Sequence, residues 1–496
     1  MTRPIQIERV KTIFIVVLFI MTILLLYFSW KDSFIVSIKI PIDFLSQEET
    51  IPMPLTEDLI KPNEIMVNFG SDAHTIVARK DYAYWDAFVL SVSGFLNREN
   101  LTITEITKNQ FDEATGFRSI RVKFDYNLPF KDTLAQLDIQ LNENNIPIEM
   151  FTWIAYSTAI KDSIIIYDGK NQKYYRLISD YDLTALNTII DDIEKNSFDP
   201  YFPMRVFLGL DNSTLMPISV KTEMKEIAYG KEINYYETEK IVKLAQTFFG
   251  EGFDFVRKIT ESSGTTIYMY GYGQEILILN KDGAIEYKEE LGNASYSALS
   301  FFDSLDLAAN FIGAHGSWES LNGTKLTPYL KDASPIIIDD KSGYRFKFGM
   351  IINNHPLYLD GGRETLSVDV IGNEIANYKR QMLDISQNTL DSLINEPLRQ
   401  TMDPINILTD NHIAIKTVLN AAGIIVPGTT ETDFFENTSI LIDEIKMGYV
   451  KTDEKDGIQT GKVYPAWIFR VGDIYMYFDI FTGKLLGNPN QGPGGV

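Results

Sequence analysis

The chain has 496 residues, with 45 basic and 67 acidic side chains, a formal net charge of −22 and no cysteine. A chain without cysteine forms no disulfide, thiolate metal site or thiol nucleophile, and it carries no lipidated cysteine anchor. The negative charge repels nucleic acid and anionic lipid, so we expect neither to be a partner of the water-soluble part.

Residues 12–30, TIFIVVLFIMTILLLYFSW, form an apolar run of nineteen residues. As a helix this run would span roughly 28 Å, close to the ~30 Å hydrocarbon core of a bilayer, which disfavours a buried core helix. No small-residue cleavage site follows it, so we predict an uncleaved anchor. Basic residues dominate residues 1–11 and acidic residues follow the run, so we predict a cytoplasmic N-terminus, a single crossing and an extracytoplasmic remainder at the cell membrane.

The segment after the anchor is predicted to be a stalk, followed by an N-terminal domain. Residues 31–62 contain scattered prolines without a sustained period, which is typical of a stalk or linker. Residues 63–230 are predicted to form an α+β domain. Its predicted elements are a strand at 65–69, a helix at 82–96, a strand at 119–126, a hairpin turning at Asp168 and Gly169, and a helix with Leu186, Ile189, Ile190 and Ile193, capped by Asp180 or Asp182.

The rest of the chain repeats a pattern of an amphipathic helix followed by antiparallel strands. It predicts a middle α+β domain at 231–395, a C-terminal α+β domain at 396–487 and a disordered tail at 488–496. The fold class is therefore α+β: one N-terminal transmembrane helix followed by a multi-domain ectodomain of helix-plus-antiparallel-sheet units. Further local predictions are a hairpin at Asp282 and Gly283, a capping box of Ser300 with Asp303, a helix starting near Asp410, and a two-residue turn of Gly472 with Asp473.

The sequence gives little support for catalysis or for metal binding. The four histidines share no metal-ligand spacing, and no nucleophile elbow, phosphate loop or dinucleotide fingerprint occurs. We interpret His315 as a helix C-cap whose charge favours the helix dipole. Acidic pairs such as Asp339 with Asp340 and Asp191 with Asp192 are expected on solvated loops of so acidic a chain. We predict no catalytic, cofactor-binding or metal-binding residues, and hence no enzyme.

Tyrosines alternate along two predicted strands. One set is Tyr268, Tyr270 and Tyr272, and the other is Tyr475 and Tyr477, followed by Asp479. Alternation places each set on one sheet face. Ordinary packing of half-buried strands explains this pattern, and a tyrosine-rich protein-binding surface is the alternative.

Four segments together resemble the YycH/YycI family. They are PNEIMVNFG (62–70), LDLAANFIG (305–313), GYRFKFGM (343–350) and YPAWIFRVGDIYMYFDIFTGKLL (464–486). The family consists of membrane-anchored extracytoplasmic regulators of the WalK-type (YycG) sensor histidine kinase, which controls cell-wall metabolism. The length favours the YycH member, whereas the ending resembles YycI.

The resemblance implies a non-enzymatic regulator that contacts the kinase and a YycI-like sister protein, partly through the membrane helix. Within the run 12–30, Thr22 and Ser29 lie seven residues apart and hence on nearly one helix face. Polar groups of this kind can form hydrogen bonds between helices in lipid, so Thr22 and Ser29 are the candidate membrane-helix contacts.

Two other functions remain open. An extracytoplasmic binding or inhibitory module, loosely like PepSY domains, would hold an envelope protease or ligand and would expose an apolar patch on the repeated units. A cell-wall hydrolase would bring two carboxylates together in a cleft, with the pKa of at least one of them raised.

Overall fold

The computed structural model describes residues 54–487, except for 55, 63, 78–81, 99, 138, 140–145, 197, 234–236, 293–296, 360–362, 394–395 and 452–460. The predicted membrane helix, Thr22, Ser29, almost all of the stalk and the predicted tail lie outside these residues. Among the helices that are described, none has both the length and the apolar composition needed to cross a membrane.

The first unit is a nine-stranded sheet with helices on both of its faces. The elements are α1 (Thr56–Leu59), β1 (Glu64–Gly70), β2 (Ala73–Val77), α2 (Tyr82–Leu96), β3 (Thr102–Ile106), α3 (Lys108–Thr115), β4 (Ser119–Pro129), α4 (Phe130–Gln136), β5 (Met150–Ser157), β6 (Ser163–Asp168), β7 (Lys173–Ile178), α5 (Thr184–Lys195), β8 (Tyr201–Pro203), α6 (Met204–Leu208) and β9 (Leu215–Pro217). The strand order is β3-β7-β6-β5-β4-β1-β2-β8-β9, and the neighbouring strands pair antiparallel.

The middle unit contains two helices packed on an antiparallel sheet. Its elements are β10 (Lys221–Thr222), β11 (Ile227–Ala228), β12 (Gly230–Lys231), α7 (Thr238–Phe249), a 3-10 helix (Gly250–Phe255), β13 (Arg257–Thr260), β14 (Thr266–Tyr270), β15 (Glu275–Leu279), β16 (Ile285–Glu289), α8 (Phe301–Ala314), β17 (Thr327–Ile338), β18 (Lys341–Ile352), β19 (His355–Leu359), β20 (Leu366–Ile371), β21 (Glu374–Arg380), β22 (Leu383–Asp384) and α9 (Gln387–Leu393).

The last unit places two helices before a four-stranded meander. Its elements are β23 (Arg399–Gln400), α10 (Pro404–Ala421), α11 (Glu431–Ile440), β24 (Glu444–Lys451), β25 (Lys462–Val471), β26 (Ile474–Asp479) and β27 (Leu485–Gly487). The mixture of helices and antiparallel sheets in all three units is the predicted α+β class.

The middle and last units share one sheet of fourteen strands. They meet where β19 pairs with β24 in parallel, with Leu357 opposite Tyr449. The short strand β11 also crosses over, because Ile227 pairs with Val463 of β25. The two repeated units therefore form a single hydrogen-bonded sheet.

Polar contacts attach the first unit to the other two. The buried Asn212 side chain donates to the carbonyl oxygens of Ser439 (2.8 Å) and Ile442 (2.9 Å). The Asp132 carboxylate accepts a hydrogen bond from the backbone N–H of Phe301 at the start of α8 (3.3 Å). Buried polar groups need such partners, so these bonds favour one packing of the units over others.

Most local predictions agree with the structure. The predicted helix at 82–96 is α2, and the turns at Asp168–Gly169, Asp282–Gly283 and Gly472–Asp473 connect the expected strands. The helix predicted near Asp410 starts six residues earlier, at Pro404, since Asp403 occupies the N-cap and proline suits the first helical position.

Two predicted cap and strand details are wrong. Ser300 caps α8, because its hydroxyl oxygen accepts a hydrogen bond from the Asp303 N–H (3.2 Å). The Asp303 carboxylate, however, accepts from the Ser300 hydroxyl (2.6 Å) instead of from the Ser300 backbone N–H, as a capping box would require. Tyr272 lies in the β14–β15 turn rather than in the strand with Tyr268 and Tyr270, so strand alternation does not set its direction.

Candidate protein-contact surfaces

The predicted membrane contacts, Thr22 and Ser29, lie outside the described residues and stay predictions. Within the described ranges, no group of three or more His, Cys, Asp or Glu side chains is placed to hold a metal ion. The surfaces that remain are built from aromatic, apolar and charged side chains.

Of the acidic pairs singled out from the sequence, Asp339 and Asp340 lie in a turn as expected, whereas Asp191 and Asp192 lie on a helix instead of a loop. Asp339 and Asp340 form the β17–β18 turn with positive φ angles of 49° and 61°, a conformation that aspartate tolerates. On α5, Asp191 pairs with Arg118 (2.7 Å), and Asp192 accepts a hydrogen bond from Tyr84 (3.0 Å).

His315 ends α8 as predicted, but it is uncharged. Its side chain is buried, its Nδ1 bonds to the Phe311 carbonyl oxygen (2.8 Å), and its ring stacks on the Phe311 ring at 3.9 Å. Burial lowers the pKa of His315 to about 4, so the imidazole is neutral at pH 7. The expected interaction of a positive charge with the helix dipole is therefore wrong.

A cluster of charges joins the first unit to the last, and we call Lys123, Glu444, Lys446 and Arg470 the interunit ion cluster. The Glu444 carboxylate lies 3.0 Å from Arg470, 3.2 Å from Lys446 and 4.0 Å from Lys123. Glu444 is 8% exposed; although burial by itself would raise its pKa, the three cations hold the pKa well below its usual value. Lys123 belongs to β4 and the other members to β24 and β25, so the cluster bridges two sheets.

The predicted tyrosine face of the last unit lies beside this cluster. Tyr475 is paired with Arg470 across β25 and β26, and Tyr477 is paired with Ile468. The Tyr358 ring contacts both tyrosine rings, with centroids 5.8 and 5.9 Å away. Tyr477 is buried and Tyr475 partly exposed, so packing explains most of this face.

A second aromatic group covers part of the first sheet. The rings of Trp153, Tyr167 and Tyr174 follow one another across β5, β6 and β7, with successive centroids 4.7 Å apart. The Arg121 guanidinium lies 4.7 Å from the centroid of Trp153 and 5.5 Å from that of Phe111. Burial lowers the pKa of Arg121 to about 10, and Arg121 remains cationic at pH 7.

The start of the middle sheet has one open apolar face. Cross-strand pairing aligns Ile259, Ile267 and Ile278 in one row, and aligns Arg257, Met269, Ile276 and Lys288 in the next. The apolar members are partly exposed, whereas the opposite face buries Tyr268, Leu277 and Tyr287. Phe255 (77% exposed) precedes β13, and the fully exposed Tyr272 lies in the β14–β15 turn. We call Ile259, Ile267, Met269, Ile276 and Ile278 the open apolar face.

Sequence reasoning did not identify this face or the ion cluster. EILIL and TIYMY carry apolar residues at successive positions, and this signal indicates apolar side chains on both faces of the strands. The strand SIRVKFDY alternates apolar residues with Arg121, Lys123 and Asp125, which marks a charged second face.

The fold can be compared with solved structures. The crystal structure of YycH from Bacillus subtilis superposes with a TM-score of 0.53 at 13% sequence identity, covering 90% of this chain and 100% of that chain. This chain has a YycH-like fold. The C-terminal domain of YpeB from Bacillus megaterium matches with a TM-score of only 0.23 at 10% sequence identity, covering 52% of this chain and 98% of that chain. No protein-family model and no curated protein sequence matches the chain.

Proposed function

We propose that this protein is a non-enzymatic, membrane-anchored extracytoplasmic regulator of a WalK-type sensor histidine kinase that controls cell-wall metabolism. The observation that supports the proposal most is the YycH-like fold, which extends over 90% of the chain. The apolar run at 12–30, with basic residues before it, supports a single-pass anchor with a cytoplasmic N-terminus.

The proposed partners are the kinase and a YycI-like sister protein. Such a regulator acts by protein contacts that differ between the kinase states, because a partner shifts an equilibrium only by its differential affinity for the two states. In the membrane, Thr22 and Ser29 are the proposed contact residues.

Replacing residues 12–30 with an unrelated transmembrane helix tests the membrane contact. Expression of kinase-dependent cell-wall genes is measured at equal protein level, and we expect regulation to be lost. A finer variant, Thr22→Val with Ser29→Ala, is compared with Thr12→Val, which removes a hydroxyl from a different helix face. Unchanged regulation after the full replacement would refute a signalling role for the helix.

A second candidate is a binding or inhibitory module for an envelope protease or ligand. The open apolar face favours it, because exposed apolar patches of this kind commonly mark contact sites. Crosslinking in cells, from the stalk and from the membrane helix, distinguishes the two candidates. Capture of the kinase supports the regulator, and capture of a protease in its place supports the module.

A further inference from the structure

The strand at one end of the large sheet, β13, pairs among the described strands with β14 alone, and each of its residues is exposed. The N–H of Glu261 donates to the carbonyl oxygen of Thr265 (2.9 Å), so these two residues form a hydrogen-bonded pair next to β13. Such pairs alternate along an antiparallel ladder with pairs that are not hydrogen-bonded. The backbone N–H and C=O groups of Lys258 and Thr260 therefore point away from β14, towards the sheet edge.

The side chains along this edge carry both signs of charge. Arg257 and Glu261 lie two residues before and after Ile259, on the same sheet face as its side chain. At roughly 3.3 Å per residue they are about 13 Å apart, too far to form an ion pair with each other. Glu251 and Asp254 are exposed in the preceding 3-10 helix. The edge therefore does not select a partner of one charge sign, but it can complement a copy of itself.

We propose that two copies of this protein associate through β13, as antiparallel neighbouring strands related by a two-fold axis at Ile259. Lys258 of each copy then lies opposite Thr260 of the other, and each such pair exchanges both of its outward backbone hydrogen bonds. Arg257 of each copy lies opposite Glu261 of the other, so opposite charges meet across the axis. This self-association goes beyond the proposed kinase contact and does not depend on it.

The side chains select this register among those that use the outward backbone groups. A two-fold axis at Lys258 would set that lysine against its own copy, and like charges directly opposite one another repel. An axis at Thr260 would set Ile259 against Glu261, which leaves the isoleucine beside a charge. The axis at Ile259 places isoleucine beside isoleucine and Arg257 beside Glu261.

Two further features favour a second copy as the occupant. The Lys258 ammonium lies 5.6 Å from the Tyr268 ring centroid on β14, so this lysine is directed away from the edge that edge lysines commonly block. The apolar row of Ile259, Ile267 and Ile278 continues across the axis into the same row of the other copy. The contact uses the same surface on both copies, so it closes as a dimer.

Disulfide crosslinking of the purified full-length protein tests the register, because the natural chain has no cysteine. We expect Ile259→Cys to give a crosslinked dimer on oxidation, since the Cα atoms of such a pair lie about 4.5 Å apart. Lys258→Cys and Thr260→Cys, each made alone, should stay monomeric, because each cysteine would be roughly 7–8 Å from its own copy. A mixture of Arg257→Cys and Glu261→Cys should crosslink, whereas neither variant should do so alone.

Charge exchange tests the ion pairs by sedimentation of the cysteine-free protein. Arg257→Glu and Glu261→Arg each set like charges opposite one another, and we expect each to raise the dimer dissociation constant about tenfold or more. The two substitutions together restore the opposite charges and should restore the dimer. Lys195→Glu makes the same charge change on an exposed position of α5 and should have no effect.

A backbone variant tests the strand pairing itself. Thr260→Pro removes an outward N–H without removing a bond of the β13–β14 ladder, and we expect it to weaken the dimer about tenfold or more. Thr260→Val keeps that N–H and should dimerise normally. Circular dichroism of each variant shows that the fold is retained.

Several results would overturn the proposal. They are a monomer at every concentration, no crosslink with Ile259→Cys, a crosslink with Lys258→Cys or Thr260→Cys alone, or a double charge exchange that does not restore the dimer. A dimer that survives every edge variant would use another surface, such as the membrane helix. Capture of a different protein by Ile259→Cys in cells, without a crosslinked dimer, would assign the edge to that partner. None of these results bears on kinase regulation, so the proposed function would stand.

Discussion

Removing the buried counter-charge of Arg380 provides a sharp test of what stabilises the middle unit. Arg380 and Glu232 both have fully buried side chains, with Nη2 2.5 Å from Oε1 and Nε 3.0 Å from Oε2. Arg380 also donates to the carbonyl oxygens of Ser317 (2.5 Å) and Glu319 (2.6 Å). Although burial alone would lower the pKa of Arg380, the Glu232 carboxylate raises it above its ordinary value, so the guanidinium stays charged.

The variant Glu232→Gln keeps the size of the side chain but leaves this charge uncompensated. Removing one partner of a buried ion pair costs about 3–5 kcal/mol, and we expect a loss of that size in the free energy of unfolding. The bonds of Arg380 to Ser317 and Glu319 persist, which favours the lower end of the range. Since whole domains are stable by only ~5–15 kcal/mol, the change is easily measured.

The assay is urea unfolding of the full-length protein, followed by circular dichroism and tryptophan fluorescence. Trp318, one of five tryptophans in the chain, lies between Ser317 and Glu319 and packs on Phe348 at 5.1 Å, so loosening there contributes to the change in emission. The control is Glu149→Gln, which removes an exposed partner of Lys170 and should leave stability unchanged. A loss below about 1 kcal/mol for Glu232→Gln would refute the reasoning, because it would mean that the pair is hydrated.

Three further predictions concern other buried sites. Folding lowers the pKa of His315 from 6.5 to about 4, so the unfolded chain binds the proton more tightly, and the stability present above pH 6.5 is lost as the pH falls towards 4. Denaturation at several pH values should show the wild type losing about 3 kcal/mol more of its free energy of unfolding than His315→Gln. Parallel curves of stability against pH would contradict this prediction. Glu444→Gln removes the carboxylate that contacts Arg470, Lys446 and Lys123, while Glu64 and Asp125 stay near the two lysines. It should cost about 3 kcal/mol in the same urea assay, whereas a loss within error would indicate solvent screening. Gly448→Ala places a methyl 2.8 Å from the Pro356 carbonyl oxygen, so we expect about 1–3 kcal/mol of destabilisation and faster amide exchange in β19. Unchanged exchange in β19 would show that β19 and β24 accommodate the methyl without separating.

Local structure followed from the spacing of residues along the chain. The apolar period of 3.6 located α2 and α5, and the glycine-containing turns located the hairpins, since both signals depend on neighbours within a few residues. The predicted start of α10 near Asp410 is wrong, because Asp403 at the N-cap and Pro404 at the first helical position begin the helix six residues earlier.

Contacts between distant segments could not be predicted in this way. The parallel pairing of Leu357 with Tyr449 joins the middle and last units through residues about ninety positions apart. The local pattern of neither strand indicates which strand it pairs with. The same holds for Lys123 and Glu444, whose charges meet across two sheets.

The sequence by itself determined the α+β class, most helix and hairpin positions and the apolar run at 12–30, because these depend on local periodicity and composition. Only the tertiary structure decided that the middle and last units share one sheet, that His315 is neutral, and that β13 pairs, among the described strands, with β14 alone beside an apolar face. The physical reason is that burial and strand pairing are set by which distant surfaces meet, and those surfaces are brought together only when the chain folds.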